Sequence, residues 1–463
     1  MVGSKCGLSA GVLGVALSLS RAVAAESTRS RAELTTLLDS GNVLNGAAAE
    51  PPLWEALGSL RSGKENRARL TLAGSDAGYW PGVRTSAVLR LELGLAGLGE
   101  GRAPTLRDAS SAIGATFQTG LGELSFRAYP FDTDYVRLGY LHALDWGGTQ
   151  TAPRESAFLS RTSGAPGLLL AMSTPRIALF SGLKWATLDA AAAGSRRRWG
   201  VFGGGSFDLA PVLRAELGLG YFQRSPGFIE GASLRLLWHR GAPEPEVAAE
   251  PFRPPSFRDD VSLLEAASPL GLALALEGTA LLIRAQQREL APAAALYGSA
   301  RGRVFAGHAV LSWRSLAFVL RNDARFSSQD VASPGTAQQA ELAAWLGGSL
   351  TLPPLHLVPS LEVGARLPAS LRTASALPGV TQSWVAVGAA GLEPLPLAAS
   401  RLPSIAARLA LRWQLSTALG TSFAFDYERN PNRARLATFG ATTLRVFDVP
   451  DTLVALGSVQ ARW

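Results

Sequence analysis

The feature that most constrains this chain is an alternation of period two. It recurs along most of the length and is clearest at the end. In residues 452–463, Leu453, Ala455, Gly457, Val459, Ala461 and Trp463 fall on one side, and Leu456, Ser458, Gln460 and Arg462 on the other. Side chains alternate between faces in a β-strand and in no helix. The pattern returns at Leu89, Leu91, Leu93 and Leu95 against Arg90 and Glu92, and at Leu124 and Phe126 against Ser125 and Arg127. Leu213, Ala215, Leu217, Leu219 and Tyr221 alternate with Arg214, Glu216, Gly218 and Gly220. Further examples are Leu234 and Leu236 against Arg235, Leu361 and Val363 against Glu362 and Gly364, and Leu409 and Leu411 against Arg408 and Arg412.

Several of these segments run for about 9–12 residues, the reach a tilted strand needs to cross hydrocarbon, whereas soluble strands average about 5–6. The second face holds charges and glycines, as a wet or crowded lumen would. Only 17% of the 463 residues are charged, below the roughly 25% usual in soluble domains. The two longest stretches without charge, 342–361 and 373–392, are broken by Pro and Gly, so neither suits a spanning helix. Period alone does not say which face is inside. In a soluble barrel the leucines would point inward and the charges outward.

An alternating last strand that ends on Trp463 resembles the outer-membrane β-barrel proteins of Gram-negative bacteria, whose C-terminal strand ends in Phe or Trp. The resemblance implies a transmembrane antiparallel β-barrel. About 375 residues of strand and loop predict about 16–18 strands. It also implies that Trp463 is part of the insertion signal, read by the barrel-assembly machinery, and that outer-membrane lipids and lipopolysaccharide are partners. Tyr221, Trp238, Trp413 and Tyr427, near the ends of their segments, fit an interfacial aromatic girdle.

The N-terminus reads as a signal peptide over 1–25. Lys5 precedes an apolar run, and Ala22, Val23, Ala24 and Ala25 supply a small-residue cleavage site. Cys6, the single cysteine, leaves with it. Residues 26–67 predict a short helical segment, either a plug or a periplasmic extension. Ser30 and Glu33 have capping-box spacing, Leu34, Leu37 and Leu38 follow, and a second helix is expected after Pro51 and Pro52. The barrel is then expected over 68–463, with a Pro-rich inserted loop at 241–268. Tight connections are expected at 130–134, 208–211, 353–354 and 448–451.

The net charge of +8 is carried almost wholly by Arg, with Lys5, Lys64 and Lys184 the only lysines. These cations are spread singly through alternating segments, not gathered on one face, so nucleic acid is not an expected partner. Arg196, Arg197 and Arg198 form the one basic run, either a solvated loop or a site for lipopolysaccharide phosphates. No phosphate loop and no H-E-x-x-H is present, and the one G-x-S-x-G, at 7–11, lies in the signal peptide. Gly203, Gly204 and Gly205 read as small residues within a strand. His142, His239, His308 and His356 show no metal-ligand spacing, although His142 could approach Asp145. No catalytic, metal or cofactor residues are predicted, and no cofactor. A hydrolase on the barrel rim stays open.

The expected lumen charges are Arg90, Glu92, Arg127, Arg137, Lys184, Arg214, Glu216, Arg235, Glu362, Arg366, Arg408 and Arg412. They would either set ion preference in a pore or pair across strands and stiffen the wall. Three readings follow: a porin-like passive channel for small solutes, a non-conducting structural or surface-binding barrel with a filled lumen, and a transporter of apolar molecules with an N-terminal hatch.

Overall fold

The computed structural model describes residues 29–42, 67–76, 82–94, 105–108, 111–131, 136–140, 143–145, 153–154, 165–187, 197–224, 227–240, 270–283, 289–304, 307–318, 337–375, 378–386, 392–439 and 442–462. Nearly all of these belong to strands, and one antiparallel sheet of 19 strands dominates. In chain order its staves are β1 (Arg29–Asn42), β2 (Arg67–Asp76), β3 (Val83–Gly94) and β4 (Thr105–Asp108 and Ala112–Thr119, interrupted). Then come β5 (Gly122–Tyr129), β6 (Gly167–Ser173), β7 (Ile177–Thr187), β8 (Arg197–Ala210) and β9 (Leu213–Arg224). β10 (Gly227–Arg240), β11 (Gly271–Ile283), β12 (Glu289–Val304), β13 (Gly307–Phe318) and β14 (Glu341–Thr351) follow. β15 (Leu357–Leu367), β16 (Ser404–Gln414), β17 (Leu419–Arg429) and β18 (Asp451–Arg462) complete the set. The two pieces of β4 both pair with β3, so the 19 strands make 18 staves.

The sheet closes. β1 pairs with β2 on one side, Leu34 opposite Leu70, and with β18 on the other, Leu34 opposite Ala461. Closure leaves no row of unpaired backbone groups, the condition for a sheet surrounded by hydrocarbon. The staves run from 7 residues in β6 to 16 in β12, and most reach the length that spans a bilayer at a tilt.

Closure through β1 corrects the expected N-terminal helix. Ser30, Glu33, Leu34, Leu37 and Leu38 lie in a strand, so this part is a stave of the wall, neither plug nor extension, and the barrel begins at Arg29 and not at Ala68. Local capping and i, i+4 spacing are weak signals, and two full ladders of tertiary pairing override them. The second expected helix, the signal peptide, the loop 241–268 and Trp463 lie outside the described residues.

The structure also decides which face is which. Leu236, Leu276 and Leu296 stand in register on β10, β11 and β12, and are 39%, 54% and 42% exposed. One position away, Arg235 and Glu277 face each other at 4% and 2%. The same inversion runs around the ring: Leu89, Leu217, Leu234, Leu311, Leu361 and Leu409 are exposed, whereas Glu92, Glu216, Glu362 and Arg408 are buried. A closed sheet with leucines outside and charges inside is stable only where lipid covers the outer face. Trp199 and Tyr221 add an outward aromatic pair, ring centroids 6.1 Å apart.

Strand direction sorts the connections onto two rims. Turns 120–121, 174–176, 211–212, 305–306, 352–356 and 415–418 fall on one rim, together with both barrel termini. Connections 43–66, 130–166, 319–340, 368–403 and 430–450 fall on the other. The expected tight turns at 208–211 and 353–354 are on the short rim, where Pro353–Leu355 makes a 3-10 turn closed by His356 at φ 52°. Two other expectations fail. Pro130 opens a long excursion. Residues 448–450 lead from the return strand of a hairpin, Ala434–Phe439 with Thr442–Phe447, into β18, and this hairpin prolongs the β17–β18 pair beyond the rim. The connection 241–270 begins and ends on the short-turn rim, where it is the exception in length.

Candidate functional site: a lumen narrowed by two inward-folded segments

The inner face of the wall is built by the alternation itself. Every second residue of each stave points inward, and there the charges pair along the register. Arg214 donates to Asp208 at 2.5 and 3.0 Å. Arg235 meets Glu216, its register partner, at 3.1 Å. Arg408 meets Asp426 at 3.1 Å, again across one register step. Arg366 meets Glu341 at 2.7 Å, and Glu341 also accepts the Ala369 backbone N–H. Glu362 lies opposite Arg408 and within the field of Arg314. In a low-dielectric wall such pairs persist because each charge satisfies the other, and removing one partner strands a buried ion.

Of the predicted lumen residues, Glu92, Lys184, Arg214, Glu216, Arg235, Glu362, Arg366 and Arg408 are buried on this inner face. Arg90, Arg127 and Arg412 share that face and are half-buried. Arg137 lies on no stave but in a short strand, Arg137–Leu138, of the excursion after β5. Glu277, Tyr297, Arg314, Glu341, Trp345, Asp426 and Glu428 also line the inner face and were not singled out from the sequence. The i±2 spacing from Arg235 or Arg408 and the cross-strand register locate them, but the register exists only once the strands are paired.

Two excursions from the long-connection rim turn into this lumen. The first follows β5. Val136 and Leu138 are 1% and 0% exposed, and Val136 lies where a side chain on Gly182 of β7 would stand. Tyr140 then reaches the middle of the wall. Its backbone N–H donates to Glu277 Oε1 at 2.7 Å, and its ring lies 3.9 Å from the Arg235 guanidinium carbon. Tyr297 donates its hydroxyl to the other Glu277 oxygen at 3.1 Å. A cation over an aromatic face, backed by two carboxylates, makes a latch stronger than any one of its contacts. Burial pushes the Tyr140 phenol well above its ordinary range, and the Glu216 carboxylate adds to this against the pull of Arg235.

The second excursion is 368–403. Its strands Ser370–Ala374, Thr381–Ala386 and Leu392–Pro394 form a small sheet, which Ala337–Gln339, from the end of the connection 319–340, joins at one edge. Ala369 and Leu371 are buried against Ala343, Trp345 and Ala406 of the wall, and Trp384 packs on the same cluster, as does Tyr140. Trp345 fits because its indole lies over Gly364 of β15, where a Cβ would come within 2.2 Å of the ring. The two segments therefore meet one apolar patch inside an otherwise charged lumen.

A division of the charges follows. The inward acids Glu92, Glu216, Glu277, Glu362 and Asp426 are buried, at 9% or less, whereas Asp208 and Glu123, near the short-turn rim, are half-buried. Arg90, Arg127, Arg314 and Arg412 on the same face are only half-buried. Charge that water can reach at mid-wall is therefore mainly guanidinium. His239 is buried on the inner face, and His308 and His356 lie at the short-turn rim. His142 is outside the described residues, and Asp145 pairs in register with Arg137. Among the described residues no three His, Cys, Asp or Glu side chains gather as metal ligands.

No family model matches the sequence, and no curated protein matches it significantly. Solved structures similar to the chain include three outer-membrane proteins of Pseudomonas aeruginosa. OccK3 (OpdO) is 12% identical, with 95% of this chain and 96% of that one covered and a TM-score of 0.48. OpdK is 12% identical, with 95% and 100% covered and a TM-score of 0.47. OprD is 11% identical, with 95% and 94% covered and a TM-score of 0.48.

Proposed function

We propose that this chain forms a porin-like passive channel of the Gram-negative outer membrane, exported by a cleaved signal peptide and selective for small anionic solutes. The observation that carries the reading is the division of charge inside the lumen. The acids toward the middle of the wall, Glu92, Glu216, Glu277, Glu362 and Asp426, are buried, and Arg90, Arg127, Arg314 and Arg412 on the same face are half-buried. Guanidinium groups stay charged at any physiological pH. A lumen edged with them lowers the energy of an anion and raises that of a cation. The two inward segments supply the constriction at which such a field acts over a short distance.

Diffusion through this lumen needs no cofactor and no bond rearrangement. Lipid covers the leucine belt in this reading, and Arg197 and Arg198, at the start of β8 on the long-connection rim, would meet lipopolysaccharide phosphates.

The test is single-channel recording of residues 26–463 refolded into a planar lipid bilayer under a potassium chloride gradient. Discrete steps with a reversal potential on the chloride side are expected. A cation-selective reversal potential would overturn the anion reading. The apolar cluster of Tyr140, Leu371, Trp384, Tyr297 and Trp345 favours a second reading, a barrel closed by its own segments. Silence from protein shown to be inserted and folded would select that reading.

A further inference from the structure

The small sheet in the lumen borders a partly open cavity of about 220 Å³ that the wall pairs do not use. It opens between Ser370–Ala374, Thr381–Ala386 and the turn at Ser400–Arg401. Apart from Leu367 its lining is polar: Gln339, Ser370, Arg372, Ser383, Ser400 and Arg401. Two guanidinium groups thus border one small space, and among the described residues no carboxylate lines it. The nearby acid Glu341 is already held by Arg366 and by the Ala369 N–H.

Two of the lining polar atoms, Arg372 Nε and Ser383 Oγ, are buried with no hydrogen-bond partner. Ser383 as a whole is 1% exposed. A buried donor on a cation without an acceptor costs more than an ordinary lost bond. The surroundings are rigid. Arg401 Nη1 is fixed by the Ala340 and Pro368 carbonyls at 2.6 and 2.7 Å. Gln382 Nε2 donates to the Leu395 carbonyl, and Trp384 Nε1 to Thr373 Oγ1. Burial lowers the Arg401 pKa from its ordinary value, and Glu341 opposes this. A side chain so held keeps its charge in place without needing to reorganise around a ligand.

The geometry points to a binding site for a phosphate group between Arg372, Ser383 and Arg401. The donor inventory decides the class. Two guanidinium forks, the hydroxyls of Ser383 and Ser400 and the Gln339 carboxamide offer more donors than a planar carboxylate can accept from. A tetrahedral oxyanion accepts from several directions at once. Free phosphate, a phosphorylated solute and a lipid phosphate share this chemistry.

The test is titration calorimetry on the full folded chain in detergent, with inorganic phosphate in one arm and a water-soluble short-chain phosphatidic acid in the other. Arg372→Gln is expected to weaken binding at least about tenfold, the loss usual for a charge-assisted bond. Ser383→Ala, a change too small to unfold the sheet, is expected to weaken it several-fold. Chloride conductance measured without phosphate should be unchanged in Ser383→Ala, which alters no charge, so the site stands or falls apart from the channel reading. Binding in only one arm, sensitive to both substitutions, identifies the source of the phosphate. No binding in either arm, or binding indifferent to Arg372→Gln and Ser383→Ala, overturns the proposal.

Discussion

The latch at Tyr140 allows a quantitative test of how the lumen is narrowed. Glu277 makes two hydrogen bonds, to the Tyr140 N–H at 2.7 Å and the Tyr297 hydroxyl at 3.1 Å. Of these two, only the first joins the inward segment to the wall, where the Tyr140 ring over Arg235 and the packing of Val136 on Gly182 also hold it, so Glu277→Ala removes one part of the latch. A bond to a carboxylate is worth about 1.5–3 kcal/mol. Glu277→Ala should therefore shift the docked-to-undocked ratio about 10- to 150-fold toward undocking. The barrel itself should persist, because its ladders do not involve this side chain and Arg235 keeps Glu216. In single-channel recordings the parent protein is expected to hold one conductance level, and the variant to make frequent visits to a higher one. Glu277→Gln keeps an acceptor without the charge and should lie between them. If Glu277→Ala, shown to be folded by heat-modifiable gel mobility, conducts at the parent level without added transitions, the segment is not held by this bond and the argument fails.

Three further outcomes follow from the wall. Leu276→Arg places a cation in the outward belt, 54% exposed to lipid, and should lower folding stability in vesicles by about 2–4 kcal/mol at mid-bilayer depth; an unchanged denaturant midpoint would count against the lipid-facing assignment. Asp426→Leu removes one of the two carboxylates beside Arg408, leaving Glu362, and should cost about 1.5–3 kcal/mol, with a coupling energy to Arg408→Met that a double-mutant cycle in urea would read. Gly204→Val should block assembly or lower the urea midpoint, because a Cβ there would meet the Leu217 carbonyl oxygen and the Phe180 ring; wild-type yield and midpoint would refute the packing argument.

Much of the barrel was legible in the chain. The alternation in 213–221, 232–239 and 361–367 located staves correctly, and the strand estimate of 16–18 includes the 18 observed. Arg29–Asn42 misled because its Ser, Glu and Leu spacing satisfies a helix as well as a strand, and only pairing with β2 and β18 decides between them. The expected turn at Asp448 misled in another way. Residues 448–450 make no turn between staves: they lead from a hairpin above the rim into the last stave. Glu277, Tyr297 and Glu341 carry no local mark of their role. Each matters because a partner remote in sequence, such as Tyr140 or Arg366, arrives beside it.

The sequence by itself determined the period, hence strands, and the segregation of leucine from charge onto opposite faces of each strand. Both are properties of consecutive residues and need no partner to be read. The tertiary structure decided which face is outside, because inside and outside exist only after the sheet has closed on itself. It also decided which charges are neutralised within the wall and which remain within reach of water, since pairing depends on register between strands. Finally, it decided that two excursions from one rim fold back into the lumen, because their buried partners, Gly182, Arg235, Glu277 and Trp345, are contributed by four different staves.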